Sequence, residues 1–193
     1  IIGGVEINVQ GVHLLALFNS PIYGKQSFSE GIKTFLSKIE IDSKNTNGVL
    51  TVSNKSYTEV LSKIKENSGI AIYPHCNSDN GLFQERGKTD RTHLGDQFNY
   101  QEFNILQGKS KSVGDRLLGY IASKPSDLTS NYCYTTATDA RCLRDILAAD
   151  DNGNYTWIKA DPTFEGLKQI TFEPSRVAIQ GNFPEDKAGY QVI

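Results

Sequence analysis

The sequence predicts an α/β fold with a mostly parallel sheet. Three observations carry this. Two helical stripes each open on a capping box, short apolar runs border them, and polar or ionisable residues stand at the ends of those runs. Amphipathic helix alternating with buried strand is the pattern of parallel pairing through helical crossovers. A chain of 193 residues is long enough for one sizeable core. A hydrophobic share of 38% is ordinary for a globular domain.

The elements follow in order. Val5, Ile7 and Val9 alternate with Glu6, Asn8 and Gln10, the period of a half-buried strand. After Gly11, the run Val12 to Phe18 is continuously apolar apart from His13, as in a parallel-sheet strand buried on both faces. Asn19-Ser20-Pro21 breaks it. Ser27 and Glu30 form a capping box, followed by Phe28, Ile32, Phe35, Leu36 and Ile39 on one helical stripe. Asp42 to Gly48 reads as a polar loop. Ser56 and Glu59 cap a second helix through Val60, Leu61 and Ile64, which stops at Asn67-Ser68-Gly69. Gly69 to Pro74 then returns as a buried strand ending in His75.

Cys76 to Thr92 is polar and irregular. Further on, Phe98 to Leu106 reads as a strand, Val113 to Ala122 as a helix, and Tyr132 to Thr138 as a strand that delivers Asp139. Leu143 to Ala149 reads as a short helix, Thr163 to Gln169 as helical and Ile170 to Glu173 as a strand.

Composition narrows the function classes. A net charge of -2 and a pI near 5.9 give no global basic field for nucleic acid, though they leave room for a local basic groove. No apolar run approaches the roughly 18 residues that a membrane span requires. Cys76, Cys133 and Cys142 are odd in number and lack CxxC spacing, so neither a disulfide framework nor a zinc ribbon is expected. A reducing cytoplasm is the simpler setting. The opening, Ile1 to Ile7, has no basic region and reads as the middle of a domain rather than as a signal peptide.

Glu6, His75 and Asp139 stand in or at the ends of predicted strands. In an α/β barrel the C-terminal ends of the strands form the active face, and carboxylates with imidazoles suit transition metals. Each residue has a plainer reading. Glu6 is by default a solvated strand carboxylate, His13 a hydrogen-bonded core histidine, and Asp139 a cap for the helix after it. His75 opens a loop of polar groups, which favours a ligand role. His93 has no strand context and reads as surface, and the cysteines read as packing residues.

The order of these residues is more specific than any one of them. Gly4-Val5-Glu6-Ile7 followed by Val12-His13-Leu14-Leu15-Ala16 resembles the PHP (polymerase and histidinol phosphatase) pattern, in which a Gly-x-Glu strand precedes a strand opening on His. Ile70-Ala71-Ile72-Tyr73-Pro74-His75 resembles the later strand of that family, whose His binds metal. Thr138-Asp139-Ala140-Arg141 aligns with its closing Ser-Asp-Ala-His. Tyr155 to Gln169 looks like the segment that ends the PHP module of TrlF-type proteins, which carry an SMC/AAA-like ATPase.

The resemblance implies an incomplete or distorted (βα)7 barrel over residues 1–177 that lacks its first strands, with 178–193 as a tail or linker toward a following domain. It implies Glu6, His13, His75 and Asp139 as ligands to Mn, Zn or Fe, two or three ions where the full site is present. It also implies phosphoester hydrolysis, nucleic acid as partner and an ATPase domain in the same parent chain.

Two departures bear on activity. The family's opening His-x-His is absent, and Arg141 stands where a metal-binding His is usual. Arginine has no lone pair to give, but its fork suits a substrate phosphate. A degenerate module that scaffolds an ATPase and a histidinol-phosphate type of monoesterase are therefore the rival readings.

Overall fold

The structure, a computed structural model, describes residues 1–41, 52–83, 105–122, 133–137, 142–145 and 148–185. It divides into two compact units, Ile1–Asn104 and Ile105–Ile193.

In the first unit, β1 (Gly3–Val9), β2 (Val12–Phe18), β3 (Val52–Ser53) and β4 (Ile70–Tyr73) form sheet neighbours in the order β3-β1-β2-β4. β1 pairs parallel with β3 and antiparallel with β2, and β2 pairs antiparallel with β4. The expectation of a parallel strand at Val12–Phe18, buried on both faces, is thereby corrected. The cause is the turn. Gln10 and Gly11 both take positive φ, 49° and 90°, and Gly11 N–H donates to Asn8 Oδ1 at 2.8 Å. A two-residue loop of this kind closes an antiparallel hairpin. Burial then alternates along β2, with Val12, Leu14, Ala16 and Phe18 buried and His13, Leu15 and Leu17 intermediate. β4, by contrast, is buried at every position.

α1 (Phe28–Lys38) packs against β1 of the hairpin and α2 (Tyr57–Glu66) against β4. Both helices begin where the sequence places a cap. Ser27 accepts from Glu30 N–H, and Ser56 with Glu59 completes a capping box. Phe35 meets Phe18 edge-on with ring centroids 5.6 Å apart. Tyr57 Oη donates to the Val9 carbonyl at 2.6 Å, and Ser53 Oγ to the Ile39 carbonyl at 2.6 Å. Polar groups are thus satisfied where helix meets sheet.

In the second unit, β5 (Ile105–Gly108) pairs parallel with β6 (Cys133–Thr136), with α3 (Lys111–Ala122) between them in the chain. Tyr134 Oη donates to the Ser110 carbonyl at 2.9 Å. β7 (Tyr155–Ile158) pairs antiparallel with β8 (Val177–Gln180). β8 runs across position 177, where the sequence expectation ends the domain. Leu143 to Ala149 shows a 3-10 turn at Leu143–Asp145 rather than a longer helix among its described residues.

A second correction concerns Ile170 to Glu173. Ile170, Thr171 and Phe172 continue α4 (Phe164–Phe172) instead of forming a strand. Their β-branched and aromatic side chains favour strand locally, but Phe164, Ile170 and Thr171 share a buried helical stripe, and tertiary burial outweighs propensity. Thr163 caps this helix by accepting from Gly166 N–H at 3.0 Å. Within the segment Tyr155 to Gln169, Phe164 is buried whereas Ile158 is exposed.

No helix among the described residues is long and apolar enough to cross a membrane. Cys76 and Cys133 are buried, as packing residues should be, and burial pushes the Cys133 thiol up to about 12. Cys142 is exposed.

Candidate metal centre

Hairpin register builds the site. On the half-open face of β1 and β2, Glu6 faces Leu15 and His13 faces Asn8 across the ladder. Glu6 and His13 are therefore diagonal neighbours, a relation that long side chains can span. Their contact is short, with His13 Nδ1 2.7 Å from Glu6 Oε1.

The third member comes from the end of β4. His75 Nε2 lies 3.2 Å from His13 Nδ1 and 3.7 Å from Glu6 Oε1. The rings of the two histidines meet edge to face. Both histidine side chains are about four-fifths buried (21% and 22% exposed), whereas Glu6 is 47% exposed.

The turn after β4 fixes His75. Its φ is +32°, a conformation that costs a non-glycine residue on the order of 1 kcal/mol or more. Backbone bonds hold it there: Ser78 N–H to the His75 carbonyl, Gly81 N–H to the Ser78 carbonyl and Phe83 N–H to the Cys76 carbonyl, each 2.8 Å. His13 N–H donates to the Asn80 carbonyl at 2.8 Å, which ties the turn to the start of β2.

Gly81 makes this winding possible. A Cβ there would lie 2.3 Å from the His75 carbonyl oxygen and 2.7 Å from the Ser78 carbonyl oxygen, both backbone atoms that cannot swing aside. Gly81→Ala is expected to cost roughly 1–3 kcal/mol, read as a lowered denaturant midpoint; an unchanged midpoint would show that the turn is not tightly built. Sequence reasoning did not single out Gly81 or Asn80. The signal was the Asn80-Gly81 pair, a turn dipeptide.

Two polar atoms in this turn are buried without a hydrogen-bond partner: His75 Nδ1 and Asn77 Oδ1. Such groups each cost about 1–3 kcal/mol.

Glu6, His13 and His75 each offer one ligand atom, and these atoms all lie within 4.8 Å of one another. Ligand atoms sit about 2.0–2.2 Å from a zinc-like ion, so two of them on one ion stand about 2.9–3.5 Å apart. The observed separations of 2.7, 3.2 and 3.7 Å bracket that span. The N/N/O donor set is one that Zn, Mn or Fe accepts, so the residues present fit a divalent metal. Asp139, Arg141 and His93 lie outside the described residues.

No protein-family model matches the sequence, and no curated protein does. Among solved structures, the fold is similar to that of the lesion-specific endonuclease PfuEndoQ from Pyrococcus furiosus, with a TM-score of 0.55 and 18% sequence identity. The match covers 91% of this chain and 40% of the endonuclease, so the chain spans well under half the length of that protein. At this identity the likeness is one of fold. It shows a mixed α/β fold shared with part of that protein.

Proposed function

We propose that this chain is a PHP-type metal-dependent phosphoesterase domain that hydrolyses phosphodiesters, acting as a nuclease. The observation that carries the reading is the three-donor cluster of Glu6 and His13 on the β1–β2 hairpin with His75 in the turn after β4. The fold likeness to an endonuclease supports nucleic acid as the substrate. The TrlF-like segment Tyr155 to Gln169 supports an ATPase domain in the parent protein.

In this reading Glu6, His13 and His75 would hold Mn, Zn or Fe, and the PHP resemblance adds Asp139 to the ligand set. A divalent ion bound there supplies Lewis acidity and lowers the pKa of a water toward about 7. Glu6 and Asp139 would provide the negative charge of the set, and the two imidazoles would bind as neutral donors. Glu6 and His13 are close enough in the metal-free site for Nδ1–H to donate to the carboxylate; for His13 Nδ1 to become a ligand, the neutral ring would carry its proton on Nε2 instead. Arg141 binds the substrate phosphate and stabilises the charge that develops on it.

Arg141 also favours a second reading, since it replaces a metal-binding His of the family pattern. A module that has lost an ion would serve as a scaffold for the ATPase. Metal content of the full-length protein, measured beside hydrolysis of a diester reporter, single-stranded DNA and a phosphomonoester, separates these. The expected result is bound Mn, Fe or Zn with cleavage of the diester and the DNA. Bound metal without cleavage gives the scaffold. Preference for the monoester gives a small-molecule phosphatase, and neither metal nor cleavage overturns the metalloenzyme reading.

A further inference from the structure

We infer that Asn77 is the positioning residue for His75: its side-chain oxygen accepts the Nδ1 proton and so turns the Nε2 lone pair toward Glu6 and His13. The inference rests on the reading of these three residues as metal ligands and adds to it the group that orients one of them.

The argument starts from two unpartnered atoms. His75 Nδ1 and Asn77 Oδ1 are buried and lack hydrogen-bond partners, and they belong to residues two apart in the turn that follows β4. They are chemically complementary. Nε2 is the ring nitrogen that faces His13 and Glu6, at 3.2 and 3.7 Å. For Nε2 to present a lone pair, the neutral ring must carry its proton on Nδ1. That nitrogen then becomes a buried donor in need of an acceptor. Asn77 Oδ1 is a buried acceptor in need of a donor.

A bond between them satisfies both atoms and selects one tautomer. Histidine ligands commonly donate their second N–H to a carbonyl, carboxylate or water, and this partner fixes ring orientation. The turn suits the task because its backbone is held by the Ser78-to-His75 and Gly81-to-Ser78 bonds.

The test uses the full chain and Zn2+ as probe. Asn77→Ala is expected to weaken Zn2+ binding by about 10-fold or more, within the 10–100-fold typical of such partners. Asn77→Asp, which keeps an acceptor, restores it. In the Zn2+-loaded wild type, 15N-resolved NMR should show a His75 Nδ1 proton protected from solvent exchange, a readout that needs no variant and that a merely structural asparagine would not produce. Rapid exchange of that proton, or equal Zn2+ affinity in wild type and Asn77→Ala, overturns the role of Asn77 while leaving the metal site standing. Failure of the wild type to bind Zn2+, Mn2+ or Fe2+ overturns the metal reading itself, and this inference falls with it.

Discussion

Replacing His75 with alanine should abolish tight metal binding and, with it, hydrolysis. Changes to residues that only orient a ligand already cost about 10–100-fold in metal affinity, so loss of the ligand itself should cost on the order of 100-fold or more. The geometry makes His75 the sensitive member. Glu6 and His13 would remain as a pair 2.7 Å apart, and that pair closes on itself through a proton. Among the described residues that leaves two donors on one hairpin, too few for a tight site. Titration of Mn2+ or Zn2+ into His75→Ala, followed by diester hydrolysis at saturating metal, checks both parts. His93→Ala is the matched control, since the sequence reads that histidine as surface. Wild-type metal content in His75→Ala would contradict the ligand assignment outright.

Phe35→Ala should destabilise the first unit by about 3–5 kcal/mol. Phe35 is fully buried and its ring meets that of Phe18, also fully buried, at 5.6 Å. The loss therefore combines transfer of a large aromatic with a cavity between α1 and β2 and removal of the aromatic pair. Against a typical total of 5–15 kcal/mol, this is a large fraction. Urea unfolding should show a reduced midpoint, and a loss below about 1 kcal/mol would mean that the helix does not pack on the sheet as described. Because β2 carries His13 on its other face, the same variant should also weaken metal binding.

Much of this arrangement was legible in the residues. Ser27 and Ser56 cap both helix starts, although the reciprocal capping box forms only at Ser56 with Glu59, because a cap is a local hydrogen-bond pattern set by residue type. The run Ile70 to Tyr73 reads as buried and is, and His75 follows where a strand end was expected. The direction of β2 was not legible. It depends on the Gln10-Gly11 turn, whose first residue is an unusual occupant of positive φ, so an apolar run suggested a parallel strand. At Ile170 to Phe172 local preference and tertiary packing disagree, and packing prevails. The site was legible as an order of residues. Its spacing was not, since the Glu6–His13 contact arises from a diagonal of the register.

The hairpin that carries Glu6 and His13 also sets the order in which the centre comes together in time. Two of the donors lie seven positions apart on strands that close in about 1–10 μs, whereas His75 is 62 positions from His13. Closing the longer loop costs about 2 kcal/mol more in chain entropy than closing the short one. Two of the three described donors are therefore preformed, and the third arrives only when β4 docks. A divalent ion should then act as a late lock rather than a template: stopped-flow refolding should proceed at the same rate with or without it, while unfolding slows. Acceleration of refolding by metal would reverse that order.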